Sequence, residues 1–317
     1  MRFFILTAAA TLIFSNLVYP QGKNKPGLLV LAHGGSETWN TLVEESANSL
    51  SEKYHVAIAF GMADPKTLES GIKELEAYKV KQIVVVPLFI SSHSFILRQT
   101  EYFLSKRNEL ADPLIIMDHS GQPSDHSMPN MPEGQKPVNI IPQQIQTDAD
   151  LYIAGALDDH DIVAEILFAR SRALSVNPTN ETLIIVGHGP NLEDDNRNWI
   201  SNMESLTDKL RKMNSESGIE YKNIFAATVR DDAPGEIYEM AAENLRSLVR
   251  QSSKNSTVII VPLLLSKGGI EKGIVKRLEG LDYKWTGETL LPDPLISEFL
   301  ERSAEEGLVK MNSKAGK

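Results

Sequence analysis

A chain of 317 residues, 42% apolar and 23% charged, has the composition of a globular protein with enough apolar mass for two cores of ordinary size. Its formal net charge of −10 argues against a nucleic-acid surface, which needs clustered Lys and Arg, and favours small ligands or cations as partners. Cysteine is absent, so disulfides, thiolate metal sites and a Cys nucleophile are excluded, and a metal must be held by His, carboxylate or Met.

Arg2 precedes the apolar run 3–14 (FFILTAAATLIF), which is followed by Ser15-Asn16 and the turn Tyr19-Pro20-Gln21-Gly22. The run is shorter than the ~20 apolar residues that span a bilayer. It therefore reads as a signal peptide over residues 1–24, with an uncleaved anchor as the alternative, and the protein is expected to be exported, periplasmic or extracellular.

Beyond it, short β-branched or leucine-rich runs alternate with helical patterns, as in a parallel sheet built from βαβ units. The spacing predicts strands at 28–32, 55–60 and 82–90, with helices at 41–53, 65–78 and 95–109. A possible strand at 114–117 and the run 118–137 follow. That run is rich in turn formers and nearly free of large aliphatics, so it is read as a flexible surface loop. A strand at 151–154 and an amphipathic helix at 161–174 lead to Asn177-Pro178.

The second half repeats this order: strand 182–187, helix 196–214, strand 223–229, helix 234–251 and strand 257–265. The repetition is legible residue by residue. Gly27-Leu-Leu-Val-Leu-Ala-His33-Gly-Gly-Ser36 resembles Leu183-Ile-Ile-Val-Gly-His188-Gly-Pro190, and Ile83-Val-Val-Val-Pro-Leu-Phe-Ile90 resembles Val258-Ile-Ile-Val-Pro-Leu-Leu-Leu265. Copies of domain length indicate duplication into two α/β halves rather than a short-repeat solenoid. The expected fold class is α/β, two similar doubly wound parallel-sheet halves with a ligand cleft between them. Their expected bounds are 25–178 and 179–304, with a fraying tail at 305–317.

Two apolar strands ending in His-Gly deliver an imidazole to the crevice where open α/β sheets bind ligands. In the first half the strand ending at His33 is joined by one ending just before His93, in Pro87-Leu-Phe-Ile-Ser-Ser-His93. Neutral imidazole suits Co²⁺, Ni²⁺, Fe²⁺ or Zn²⁺, and two ligands leave coordination positions open for exchange. From the residues alone, a histidine that only hydrogen-bonds its own loop is the other reading. In the second half His188 repeats His33, but Gly268, in Ser266-Lys-Gly-Gly269, falls where His93 would be. His188 is accordingly read as a structural relic or a lone ligand contact.

Rival chemistries lose support. Gly187-His-Gly-Pro190 lacks the Gly-Lys-Ser/Thr ending of a phosphate loop, and neither a Gly-x-Gly-x-x-Gly at a strand–helix junction nor a Gly-x-Ser-x-Gly elbow is present. His119, His126, Met128 and Met131 in the loop 118–137 have the ligand chemistry for Cu⁺ capture, although an ordinary loop explains them as well. His55 at a strand start and His160 at a helix start read as exposed or capping residues.

The passages Ala32-His-Gly-Gly-Ser-Glu-Thr-Trp-Asn40, Met62-Ala-Asp-Pro65 and Val84-Val-Val-Pro-Leu-Phe-Ile-Ser-Ser-His93 resemble the type II tetrapyrrole chelatases, most closely the CbiX/SirB-like sirohydrochlorin cobaltochelatases and ferrochelatases in their long, internally duplicated form. The resemblance covers roughly residues 27–300. It implies His33 and His93 as ligands of the inserted metal, with Co²⁺ first and Fe²⁺ or Ni²⁺ as alternatives. The partners it implies are that divalent metal, as substrate, and a tetrapyrrole of cobalamin- or siroheme-type biosynthesis. No organic cofactor and no nucleic acid are expected, and two halves in one chain favour a monomer. Insertion of M²⁺ displaces two pyrrole protons, so a base must lie nearby. Glu37, in the loop after His33, and Asp64, at the end of the second strand, are the candidates, with helix capping the plainer role for Asp64 and solvated charge for Glu37. An exported metal or tetrapyrrole carrier without turnover is the competing reading.

Overall fold

The computed structural model describes residues 25–110 and 143–315. The expected signal peptide at 1–24, the strand at 114–117 and the loop 118–137 with its His and Met residues lie outside them.

Strands β1 (Gly27–Ala32), β2 (His55–Phe60), β3 (Gln82–Pro87) and β4 (Asp150–Ile153) form one parallel sheet in the order β2-β1-β3-β4. Strands β5 (Glu181–Gly187), β6 (Asn223–Thr228), β7 (Thr257–Leu263) and β8 (Lys284–Trp285) form a second with the equivalent order β6-β5-β7-β8. This is the pair of doubly wound halves expected from the repeated strand pattern. The central strands β1 and β5 are buried along their whole length, which explains why they read as continuous apolar runs rather than alternating ones.

Alternation nonetheless decides which layer each residue joins. Leu29 and Leu31 face an outer layer with Leu68, Ile72 and Leu75 of helix α2 (Pro65–Ala77) and Phe103 of α3 (Phe95–Phe103). Leu28 and Val30 face a core shared by both halves, which also contains Leu183 and Ile185 of β5 and Ile162 and Ile166 of α4 (Asp161–Leu174). The outer layer of the second sheet is built with Leu245 and Val249 of α6 (Gly235–Ser252) and Ile274 of α7 (Gly269–Arg277).

The shared core arises from an exchange of helices. Helix α4, which ends the first half in sequence, packs on β7 and on α5 (Glu193–Glu216). Helix α8 (Leu295–Ala315), which ends the second half, packs back on β3, β4 and α1 (Glu37–Asn48). Each half is therefore completed by the other.

Two sequence expectations need correction. The segment 305–317 does not begin a fraying tail: α8 is continuous to Ala315, with Leu308 only 3% exposed. Its helix approaches the first sheet so closely that a Cβ on Gly307 would lie 2.7 Å from Val84 Cγ1. The helix expected over 95–109 ends at Phe103, because Ser105 adopts a left-handed φ of 57° that an α-helix cannot continue through. The short elements α7 and β8, unforeseen in the sequence, complete the repeat of α3 and β4. Among the described residues no helix is long and apolar enough to cross a membrane.

Candidate metal centre

In a sheet ordered 2-1-3-4 the chain leaves β1 toward one side and β3 toward the other, so a crevice opens between the carboxyl ends of these two strands. Strand β1 pairs in parallel with β3, Leu31 opposite Pro87, and the pairing runs on through Leu88 N–H, which donates to the Leu31 carbonyl at 2.7 Å. His33 follows β1 by one residue and His93 follows β3 by six. The two predicted ligands thus emerge on the two sides of the switch point, and both are half-buried.

His33 begins the turn into α1. Gly34 takes a φ of 82°, open to glycine at no steric cost, and the next residue, Gly35, donates its N–H to Asn40 Oδ1 at 2.9 Å. His33 Nδ1 lies 2.8 Å from the Gly34 carbonyl. A carbonyl only accepts, so this contact is a hydrogen bond only with a proton on Nδ1.

His93 sits one residue before Ser94, whose hydroxyl caps α3 by accepting from Leu97 N–H. Its own N–H donates to Ser91 Oγ at 3.1 Å. On its other side Ser92 donates both N–H and Oγ–H to Asp158, at 2.7 and 2.6 Å, and accepts from Ala156 N–H at 2.9 Å. The loop that carries His93 is therefore fixed by polar contacts on each side of the imidazole.

The two proposed proton acceptors occupy helix starts on the same edge of the first sheet. Glu37 is exposed in the first turn of α1, and Ser36 provides that helix with its cap. Asp64 is the N-cap of α2, its Oδ1 accepting Lys66 N–H at 2.9 Å with Pro65 in the first helical position. The capping role expected for Asp64 is thus present. Among the described residues no group of three or more His, Cys, Asp or Glu side chains is arranged to enclose a metal. A pair of imidazoles without a cage would leave coordination positions to solvent or a second substrate.

The second half keeps the backbone of this site and replaces its chemistry. Gly189 repeats Gly34 with a φ of 74°, and a Cβ there would meet Thr228 Cβ at 2.5 Å. Counted back from the start of α7, which is capped at Gly268, the residue in the place of His93 is Lys267; counted forward from β7 it is Gly268. Neither supplies an imidazole. Arg230, almost fully buried, donates to the carbonyls of Pro190 and Asn191 and pairs with Glu193 at 2.6 Å. Arg277 pairs with Asp231, and His188 Nε2 approaches Asp232 Oδ2 to 3.0 Å without hydrogen-bond alignment. Ion pairs of Arg230 and Arg277 thus stand near the strand ends of the second half.

The supports of the His93 loop were missed in the sequence: Asp158, and from the second half Asp195, Trp199 and Asn202. The signal available was the i, i+4, i+7 spacing of the last three on one helix, but the spacing does not reveal what that face meets.

Comparison with solved structures places this architecture. SirB from Bacillus subtilis with Fe³⁺ superposes with a TM-score of 0.61 at 13% identity, over 91% of this chain and 98% of that one. The sirohydrochlorin chelatase SirB from Bacillus subtilis subspecies spizizenii in complex with cobalt gives 0.55 at 11% identity, over 89% and 95%. DR2241 from Deinococcus radiodurans, a multi-domain protein with structural similarity to chelatases, gives 0.50 at 15% identity, over 89% of this chain and 55% of that one. No curated protein sequence matches. The fold is that of the two-halved chelatases. Residues 27–174, which include both strand-end histidines, match the CbiX family model.

Proposed function

We propose that the protein is a chelatase that inserts a divalent metal into a sirohydrochlorin-type tetrapyrrole. The observation that carries the reading is the emergence of His33 and His93 from adjacent parallel strands at the switch point of the half that matches CbiX. Two neutral imidazoles hold M²⁺ weakly enough to release it, and the open positions accept pyrrole nitrogens as they replace water. Each metal inserted displaces two pyrrole protons. Glu37, exposed beside the His33 turn, is the leading acceptor, and Asp64, whose Oδ1 already caps α2, is the second. Co²⁺ is the first choice of metal, with Fe²⁺ and Ni²⁺ behind it, for a pathway of the cobalamin or sirohaem type. The apolar leader 3–14 supports an exported location and favours a second reading, a carrier of metal or tetrapyrrole that kept the fold without turnover.

The test follows the visible bands of sirohydrochlorin with substoichiometric protein and excess Co²⁺, in wild type, His33→Ala and His93→Ala. Multiple turnovers lost in both variants are expected. At most one equivalent converted, with Co²⁺ binding that depends on both histidines, would establish the carrier. Binding indifferent to either histidine would remove the site.

A further inference from the structure

The second half lacks a paired imidazole, yet one face of its longest helix is directed at the His93 loop. Asp195, Trp199 and Asn202 recur on α5 at i, i+4 and i+7, which places them on one face. Asp195 accepts a two-pronged pair from Arg98, which lies in the first turns of α3, at 2.8 and 2.9 Å. Trp199 Nε1 donates to the main-chain carbonyl of His93 itself at 2.9 Å. Asn202 Nδ2 donates to Asp158 Oδ1 at 3.0 Å, and Asp158 in turn holds the N–H and hydroxyl of Ser92. Asp158 reaches that position with a left-handed φ of 43°, after Leu157 and Asp158 have donated their N–H groups to the carbonyls of Phe89 and Ile90.

The face continues beyond the loop. Ser205 Oγ donates to Asp159 Oδ2 at 2.5 Å, and Lys209 pairs with Asp161 at 2.8 Å at the start of α4. Residues before, at and after His93 are thus each tied to a different turn of the same helix. Trp199 is 9% exposed, so its N–H would be left in a largely dry interface without this acceptor. A carbonyl held from outside its own loop fixes the peptide plane from which the imidazole projects, and metal affinity is sensitive to small changes in ligand orientation.

We propose that α5 of the second half is the splint of the metal site, with Trp199 the positioning residue for His93, so that the half without its own ligand pair acts by setting the geometry of the other. This rests on the reading of His93 as a metal ligand.

The test titrates Co²⁺ into wild type, His93→Ala and Trp199→Phe, followed by the absorption of the bound ion. Amide exchange of residues 91–98 is measured on the same proteins without metal. Phenylalanine keeps most of the ring volume and removes the N–H. Expected are about tenfold weaker Co²⁺ binding, a cobalt spectrum displaced toward that of His93→Ala, and faster exchange across 91–98. A merely structural role would lower the melting temperature and leave the cobalt spectrum of the bound form unchanged, which would overturn the proposal, as would wild-type affinity with wild-type exchange. If Co²⁺ binds equally well to His93→Ala, the ligand reading of His93 fails, and exchange at 91–98 alone decides whether Trp199 holds the loop.

Discussion

Arg98 and Asp195 join the two halves through parallel hydrogen bonds of 2.8 and 2.9 Å, with side chains 24% and 7% exposed. The planar guanidinium matches the carboxylate, and little water remains to replace either partner. Removing one member of such a pair leaves the other charge in a poor solvent, typically at a cost of about 3 kcal/mol or more. Asp195→Ala is therefore expected to lower unfolding stability by about 3 kcal/mol in urea titration, against a few tenths for Asp194→Ala, whose partner Arg197 is solvent-exposed. Equal effects for the two would mean that water screens the interhalf pair as it does the surface one.

His160 gives the fold a pH dependence whose sign follows from its cap. Its Nδ1 accepts Ile162 N–H at 3.1 Å at the start of α4, and its ring meets Phe299 of α8 edge-on at 5.2 Å. Burial holds its pKa below the ordinary 6.5, outweighing Asp161, which pulls it up. The folded state thus prefers the neutral ring, while the unfolded chain takes up a proton near pH 6.5. The contribution is complete above about pH 6.5 and is lost as pH falls through that value toward the folded pKa. A proton on Nδ1 also removes the cap, worth about 1 kcal/mol. Asn caps without titrating, so His160→Asn should gain on wild type in melting temperature between pH 7 and pH 5. A constant difference across that interval would show that the ring does not titrate with folding.

Much of the architecture was legible because it depends on local patterns. The strands β1, β3, β5 and β7 are buried on both faces and so are spelled as apolar runs, and the recurrence of His-Gly after two of them reveals the duplication. The exchange of α4 and α8 was not legible. Helix α4 is amphipathic in either half, and nothing in its sequence says that Ile162 and Ile166 join Leu183 and Ile185 rather than only their own sheet. The tail was misread for a related reason: Glu305, Glu306, Lys310 and Lys314 suggest a solvated end, while Ala304, Gly307 and Leu308 form a narrow buried stripe on β3 that requires glycine for its close approach. At the site, the histidines were legible as strand-end residues. Their supports were not, since Trp199 reaches the His93 carbonyl across 106 residues of chain.

His188 separates inherited geometry from retained chemistry. It follows β5 as His33 follows β1, before an equivalent left-handed glycine, so its backbone setting has been preserved. Two features oppose metal binding there. The partner position is held by Lys267 or Gly268, and the guanidinium of Arg230 is fixed beside His188 by the carbonyls of Pro190 and Asn191, in the loop that follows it, and by Glu193 at the start of α5. A dication entering would meet one imidazole, the carboxylate of Asp232 and that guanidinium, where the first half offers two imidazoles. His188→Ala is accordingly expected to leave Co²⁺ affinity within about twofold of wild type, while His33→Ala, which removes a ligand, lowers it by at least the roughly tenfold to hundredfold that follows loss of a ligand's orienting partner. Parallel titrations of the two variants decide it. A loss in His188→Ala equal to that in His33→Ala would mean that the two crevices share one metal, which would place His188 among its ligands and make the duplicated half a participant in binding rather than a support.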